Sequence, residues 1–109
     1  MFKYRATVFN IVDGDTIDVI VDLGFKINIK QRIRLAGIDT PEKGEPGYAE
    51  ARTFLSKLLL DKEIILATEK TSKWGYYIGY ISINDEDINQ RMLAEGLARP
   101  YNGGTKQKD

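Results

Sequence analysis

The stretch IRLAGIDTPE at residues 33–42 decides the fold, because a strand pattern runs directly into a carboxylate-rich end. Ile33 and Leu35 alternate with Arg34, which is typical of a strand with one buried face. This phase places Arg34 opposite the core, where it can line a groove. Pro41 cannot donate to a sheet and disfavours a helical residue before it, so we expect the strand to end there.

A second acidic element, DGDT at residues 13–16, lies upstream at the start of another predicted strand. Each acidic element alone is also typical of a solvated turn. If the fold brings the two together, Asp15 and Asp39 form an oxygen-rich pocket for a hard cation. The chain has no cysteine and no histidine, so we expect no zinc site. Arg34 would add a fork of donors that matches phosphate, and Glu42 a further carboxylate.

The remaining pattern predicts a small α+β domain, a five-stranded barrel of the oligonucleotide/oligosaccharide-binding (OB) type. An amphipathic helix caps the barrel, and a short second helix ends before Gly96. Lys26, Lys30, Arg32 and Arg34 lie close in sequence and predict a local basic patch. The predicted strands cover residues 4–12, 15–23, 27–36, 62–69 and 76–83, and the predicted helices 48–60 and 88–95.

Composition narrows the function classes. With 109 residues, 16 basic and 16 acidic side chains, the chain fits one domain and lacks the basic field of a protein that coats DNA. The start of the sequence lacks the apolar core of a signal peptide, and no apolar run is long enough to span a membrane. We therefore expect a monomeric cytoplasmic protein of a bacterium or a phage-infected cell, with no membrane partner.

Several motifs together resemble the staphylococcal nuclease (thermonuclease-like) family over about residues 4–101. The motifs are VDGDT at residues 12–16, Arg34, IDTPE at 38–42 and KWG at 73–75. The resemblance implies the same barrel, a calcium ion and hydrolysis of DNA or RNA, for which we expect single strands. It also implies that most of a third, carboxy-terminal helix is missing. We expect residues 1–101 to form the domain and 102–109 a flexible tail.

The resemblance assigns roles to the residues of the two acidic motifs. Asp15, Asp39 and the carbonyl of Thr40 would be the calcium ligands. Arg34 would clamp the scissile phosphate, and Glu42 would be the general base that acts on the attacking water. Arg34 alone would otherwise be a solvated strand residue, and Glu42 alone a loop charge.

The resemblance also points to substrate-binding residues further along the chain. Lys73 and Trp74 match a Lys-Tyr pair that contacts the terminal phosphate of a bound nucleotide, and Tyr101 falls near tyrosines that stack on the nucleotide. They are equally compatible with ordinary rim residues. Tyr76 stands where the family has its second catalytic arginine, and a phenol carries no positive charge near neutral pH.

Three functions follow from this pattern. The first is a calcium-dependent nuclease weakened by the exchange of that arginine for Tyr76. The second is a catalytically inactive relative that binds a nucleotide or nucleic acid in the same pocket. The third is a module that binds a protein partner through its barrel.

Overall fold

The computed structural model of the protein describes residues 2–71 and 75–101. The predicted tail at 102–109 therefore lies outside the described residues. The strands are β1 (Phe2–Asp13), β2 (Thr16–Asp22), β3 (Asn28–Leu35), β4 (Ile38–Asp39), β5 (Glu63–Thr71), β6 (Tyr77–Ile83), β7 (Glu86–Asp87) and β8 (Arg99–Pro100). The helices are α1 (Tyr48–Leu59) and α2 (Ile88–Ala94). Within the described ranges, neither helix has the length and apolar character needed to cross a membrane.

The five long strands close into the predicted OB-type barrel. They follow the order β3-β2-β1-β5-β6 with antiparallel neighbours, and β3 also pairs with β6 in parallel. The parallel contact, which we call the closing seam, runs from Ile33 opposite Tyr77 to Leu35 opposite Gly79. The seam removes the open edges of the sheet and fixes the direction in which Arg34 faces.

The core follows the predicted alternation. Val19 of β2 and Leu55 and Leu59 of α1 are fully buried, because β2 presents every second side chain inwards and α1 presents one apolar stripe. The predicted helix and strand positions are confirmed to within two residues at most ends. Beyond the five predicted strands, the pairs β4–β8 and β6–β7 add short strands that sequence periodicity does not reveal.

The strand predicted at residues 27–36 is confirmed as β3, but the strand pattern that runs on to Pro41 is interrupted. β3 ends at Leu35, and a turn at Ala36 and Gly37 separates it from β4. Gly37 has a φ of 78°, a left-handed conformation that glycine adopts at little cost. The turn redirects the chain, so that the residues after it pair with β8 outside the barrel.

The alternation of Ile27, Ile29, Ile33 and Leu35 in the sequence predicts one apolar face for β3, and this face is only half buried. Ile33 and Leu35 are buried, whereas Ile27 is 53% and Ile29 38% exposed. The reason is that β6 lies beside β3 only from Ile33 onward. The hairpin between β2 and β3 therefore projects beyond the core, with Phe25 at its tip 96% exposed.

A buried amide ties the second helix to the closing seam. Asn89 of α2 donates from Nδ2 to the carbonyls of Ala36, at 2.8 Å, and Gly79, at 3.2 Å. Its Oδ1 accepts from the backbone N–H of Ile81 at 3.0 Å. One side chain thus satisfies three buried backbone groups and holds the turn that follows β3.

Candidate functional site

Two buried carboxylates meet around one guanidinium at the end of β3. Asp15 lies in the β1–β2 turn and Asp39 in β4, and they are only 6% and 8% exposed. Nη1 of Arg34 lies 2.8 Å from Oδ2 of Asp15, and Nη2 lies 3.6 Å from Oδ1 of Asp39. Nη2 also donates to the carbonyl of Ile38 at 3.1 Å. The structure therefore brings these three predicted site residues together.

Further hydrogen bonds fix the Asp15 carboxylate. Its Oδ1 accepts from the hydroxyl of Thr16 at 3.0 Å, and its Oδ2 accepts from the backbone N–H of Thr40 at 3.1 Å. The second bond crosses from the β1–β2 turn to the end of β4, so the two acidic motifs are joined directly. A carboxylate held by several donors has a fixed orientation before any ligand binds.

Gly14 lets the turn approach this close. A Cβ at position 14 would lie 2.7 Å from the Cβ of Ala51 in α1 and 3.1 Å from Thr40. Any side chain there would push the turn away from both. The glycine of the DGDT motif is therefore required by packing, a reason that the sequence alone does not give.

The donor set around these residues fits a hard cation. Asp15 and Asp39 bring two carboxylates to one place, and their oxygens are the ligand type that Ca²⁺ prefers. The buried hydroxyl of Thr40 has no hydrogen-bond partner among the described residues. Among the residues that the structure describes, no group of three or more Asp, Glu, His or Cys side chains is arranged to hold a metal ion. Backbone oxygens and water would therefore have to complete the shell.

Arg99 also lies at this site, although no sequence pattern predicts it there. Pairing of β4 with β8 sets Arg99 opposite Asp39, and its Nε lies 3.9 Å from Oδ2 of that carboxylate. Arg99 is 53% exposed on its side chain and lines an open cavity of about 380 Å³ together with Asp39 and Thr40. A pair of two-residue strands leaves no periodic signal, so one sequence could not reveal this contact.

Tyr101 packs at the same end of β3. The guanidinium carbon of Arg34 lies 5.2 Å from the centre of the Tyr101 ring, within the range of a cation–π contact. The backbone N–H of Tyr101 donates to the carbonyl of Gly37 at 2.9 Å. The predicted stacking residue thus lies against the predicted phosphate clamp.

Tyr76 lies beside Arg32, which precedes Arg34 by two residues in β3 and faces the same way. The guanidinium carbon of Arg32 is 5.7 Å from the Tyr76 ring centre, and Arg32 also forms a bidentate ion pair with Asp18. The Arg32 guanidinium holds the pKa of the Asp18 carboxyl below its usual value. Hydrogen bonds with Asp18 and Tyr76 in turn raise the pKa of Arg32. Tyr76, which the resemblance predicts to stand in place of a family arginine, is therefore in contact with another arginine.

The other predicted residues are located only in part. Glu42 lies in the exposed loop that follows Pro41, where its backbone N–H donates to the Glu45 carboxylate at 2.7 Å. Its role as general base stays a prediction. Lys73 and Trp74 lie outside the described residues, so their predicted contacts with a nucleotide stay predictions as well.

Comparison with known proteins identifies the family of this chain. A model of the family described as staphylococcal nuclease homologue matches residues 32–109. Micrococcal nuclease of Shigella flexneri is 32% identical over 107 residues, which cover 90% of this chain and 59% of that protein. Thermonuclease of Staphylococcus intermedius is 36% identical over 100 residues, 84% and 56% of the two chains. Protein ParB of Escherichia coli is 32% identical over 110 residues, 91% and 58%. The chain thus spans somewhat more than half the length of these curated relatives.

Proposed function

The chain belongs to the staphylococcal nuclease family, and on this premise we propose that it hydrolyses phosphodiester bonds of DNA or RNA in a calcium-dependent reaction. The observation that carries the proposal is the shared contact of Arg34 with the buried carboxylates of Asp15 and Asp39. A guanidinium fork next to two oxygen ligands is the combination that a phosphate and a hard cation need together. The names of the nuclease relatives support the same reaction class.

Positive charge is supplied by the arginines at the site. Arg34 exchanges part of its contact with the two carboxylates for the nonbridging oxygens of the scissile phosphate. Arg99, on the other oxygen of Asp39, adds a second and more exposed positive charge. Both oppose the negative charge that grows on the phosphate oxygens in the transition state.

Asp15, Asp39 and Thr40 are the residues that would hold calcium. When bound, a divalent ion at this position would polarise the phosphate and lower the pKa of a water molecule. Glu42 would take the proton from the attacking water as general base. Its place in an exposed loop leaves it accessible to solvent, from which the water must come.

Tyr76 favours a second candidate function, nucleic-acid binding without efficient turnover. A phosphate-directed arginine contributes about 10³–10⁵ in rate in enzymes that transfer phosphoryl groups, and a neutral phenol cannot replace its charge. Binding in the ground state depends less on this interaction than turnover does. The same pocket would then hold a strand and release it uncut.

A digestion assay distinguishes the two candidate functions, hydrolysis and binding without efficient turnover. A fluorescently labelled single-stranded oligonucleotide is incubated with the protein in calcium or in a chelator, and the products are resolved on a gel. Hydrolysis predicts cleavage that requires calcium and is lost in Arg34→Ala, while Lys57→Ala on the exposed face of α1 cleaves normally. Arg34→Ala purified in the same way also reports any contaminating nuclease. Binding of the oligonucleotide without any product would favour the second candidate, and cleavage undiminished by Arg34→Ala would overturn the proposed site.

A further inference from the structure

Three cations on the outward face of β3 each lie over an aromatic ring. We call this set the cation–aromatic row. The distances from the charged group to the ring centre lie within the range of a cation–π contact. The pairs are Lys30 with Phe9 at 5.5 Å, Arg32 with Tyr76 at 5.7 Å and Arg34 with Tyr101 at 5.2 Å.

The row has a regular spacing that follows from the strand. Alternate residues of a strand face the same way and are about 6.6–6.8 Å apart along it. Lys30, Arg32 and Arg34 therefore span about 13 Å, at four strand steps of 3.3 Å each. Arg34 is the end of the row that lies in the candidate active site. Lys30 is the end that points along β3 towards the projecting hairpin.

The aromatic partners come from three separate parts of the fold. Phe9 belongs to β1 and is 41% exposed, Tyr76 precedes β6, and Tyr101 follows β8. A ring beneath a long cationic side chain restricts its conformations, so less entropy is lost when the cation binds an anion. The barrel thus holds the three charges in a line instead of leaving them as three independent mobile side chains.

Among the described residues, Arg32 and Lys30 of the row keep hydrogen-bond donors for an external anion. Asp18 takes two of the five N–H donors of Arg32, at 2.8 and 3.1 Å, and the Tyr76 hydroxyl interacts with the same guanidinium. Two donors of Arg32 therefore remain without a partner in the described ranges. Lys30 is exposed, and its ammonium carries three donors.

We propose that the cation–aromatic row is a binding track for single-stranded nucleic acid that leads away from the active site along β3. The track rests on the proposed function for its starting point, the phosphate held by Arg34. Successive phosphates contact Arg34, Arg32 and Lys30. Unpaired bases stack on the exposed Phe9 ring and on the accessible parts of the half-buried Tyr76 and Tyr101 rings, as in other grooves for single strands. Paired bases in a duplex have no free face for such stacking.

The test measures binding rather than cleavage, in a chelator so that the strand stays intact. The affinities for labelled oligothymidylates of two and eight nucleotides are compared by fluorescence anisotropy. We expect the octamer to bind about tenfold more tightly or better, because additional bases stack along the row. Lys30→Ala and Phe9→Leu should remove most of this gain and leave dinucleotide affinity unchanged. Lys57→Ala is the matched control for loss of one exposed lysine.

Salt dependence gives a second measure. For single strands, each phosphate contact contributes about −0.7 to the slope of log K against log salt. Lys30→Ala should therefore make the octamer slope shallower by about 0.7 and leave the dinucleotide slope unchanged. Because Lys30 is exposed, this variant does not threaten the fold.

Four results would overturn the track, and the first three come from the affinities for oligonucleotides. They are equal affinity for the two lengths, a length gain untouched by Lys30→Ala and Phe9→Leu, and equal affinity for a duplex octamer. Efficient competition by an oligoglutamate would also overturn it and would indicate an acidic peptide as the ligand. Failure of the nuclease proposal can be distinguished from failure of the track. If affinity depends on length but no cleavage occurs in calcium, the nuclease proposal fails and the track stands.

Discussion

The Arg34 guanidinium and the Asp15 carboxylate form a 2.8 Å ion pair at the end of the closing seam. The carboxylate proposed to bind calcium is thus also the main partner of the arginine proposed to bind phosphate. A cation on Asp15 would weaken the hold of the carboxylate on Arg34 and leave the guanidinium available for substrate. The two ligands should therefore bind with positive coupling.

Calcium is expected to raise the melting temperature of the protein. Binding to the native state alone adds about 2.7 kcal/mol to the free energy of unfolding at a hundredfold excess over Kd. Asp15→Ala should abolish the shift, whereas Glu50→Gln, which changes an exposed carboxylate in the first turn of α1, should leave it in place. A melting temperature unmoved by calcium, with and without a nucleotide, would count against the metal site.

Exchange of Tyr76 for arginine is expected to raise kcat. The new guanidinium would oppose charge that appears only in the transition state, so kcat should rise while KM changes little. A partial rescue within the 10³–10⁵-fold range, about the contribution of a phosphate-directed arginine, is the expected outcome. Tyr77→Arg adds the same charge at the adjacent exposed position and should not rescue. Equal effects of the two variants would indicate a general gain of positive charge.

Asn89 is expected to be the most sensitive polar position for stability. Asn89→Ala leaves the N–H of Ile81 and the carbonyl of Ala36 buried without a partner, at a cost of about 2–4 kcal/mol of unfolding free energy. Asn89→Asp keeps an acceptor for Ile81 but turns a second oxygen towards two carbonyls, so its stability should improve as acid protonates it. Urea denaturation measures both. A loss no greater than that of Asn28→Ala, on the exposed part of β3, would refute the assignment.

The ion pair of Asp18 with Arg32 makes a pH-dependent contribution to stability. The pKa of Asp18 is lowered in the folded state from an ordinary value of 3.8, so the contribution is complete above that value and disappears as pH falls through the folded pKa. Because the arginine of this pair is exposed to solvent, we expect about 0.2–1 kcal/mol. The difference in unfolding free energy between the wild type and Asp18→Asn should be constant near neutral pH and shrink below pH 3.8.

The same comparison in an Arg32→Gln variant is the control for that measurement. In Arg32→Gln, Asp18→Asn should change the stability equally at all of these pH values. A difference that persists there would assign the effect to the hydrogen bond that Asn10 donates to Asp18 at 3.0 Å.

Sequence periodicity predicts the barrel well because each long strand buries alternate side chains. It fails where burial depends on a distant neighbour. The exposure of Ile27 and Ile29 follows from how far β6 extends along β3, which no local pattern encodes. The strand predicted to reach Pro41 is interrupted because Gly37 permits a turn that the apolar alternation conceals.

The candidate site shows the same division. The motifs that contain Asp15, Arg34 and Asp39 predict residues that the fold does bring together. Arg99 and Asn89 escape prediction because their contacts arise from a two-residue strand pair and from the packing of α2 on the seam. The pairing of Tyr76 with Arg32 likewise needs β6 beside β3, which only the closed barrel provides.

The closing seam also sets when the site comes into being during folding. The β1–β2 and β2–β3 hairpins close short loops, but the seam joins β3 to β6 across the whole of α1 and β5. Closing a longer loop costs more entropy, and such distant pairings slow folding. In pulse-labelled hydrogen exchange, the amide of Ala36, which donates to the carbonyl of Gly79, should gain protection after those of β1 and β2. A nascent chain carries Arg34 and both carboxylates long before these residues meet, so the proposed activity has to wait until the barrel has closed.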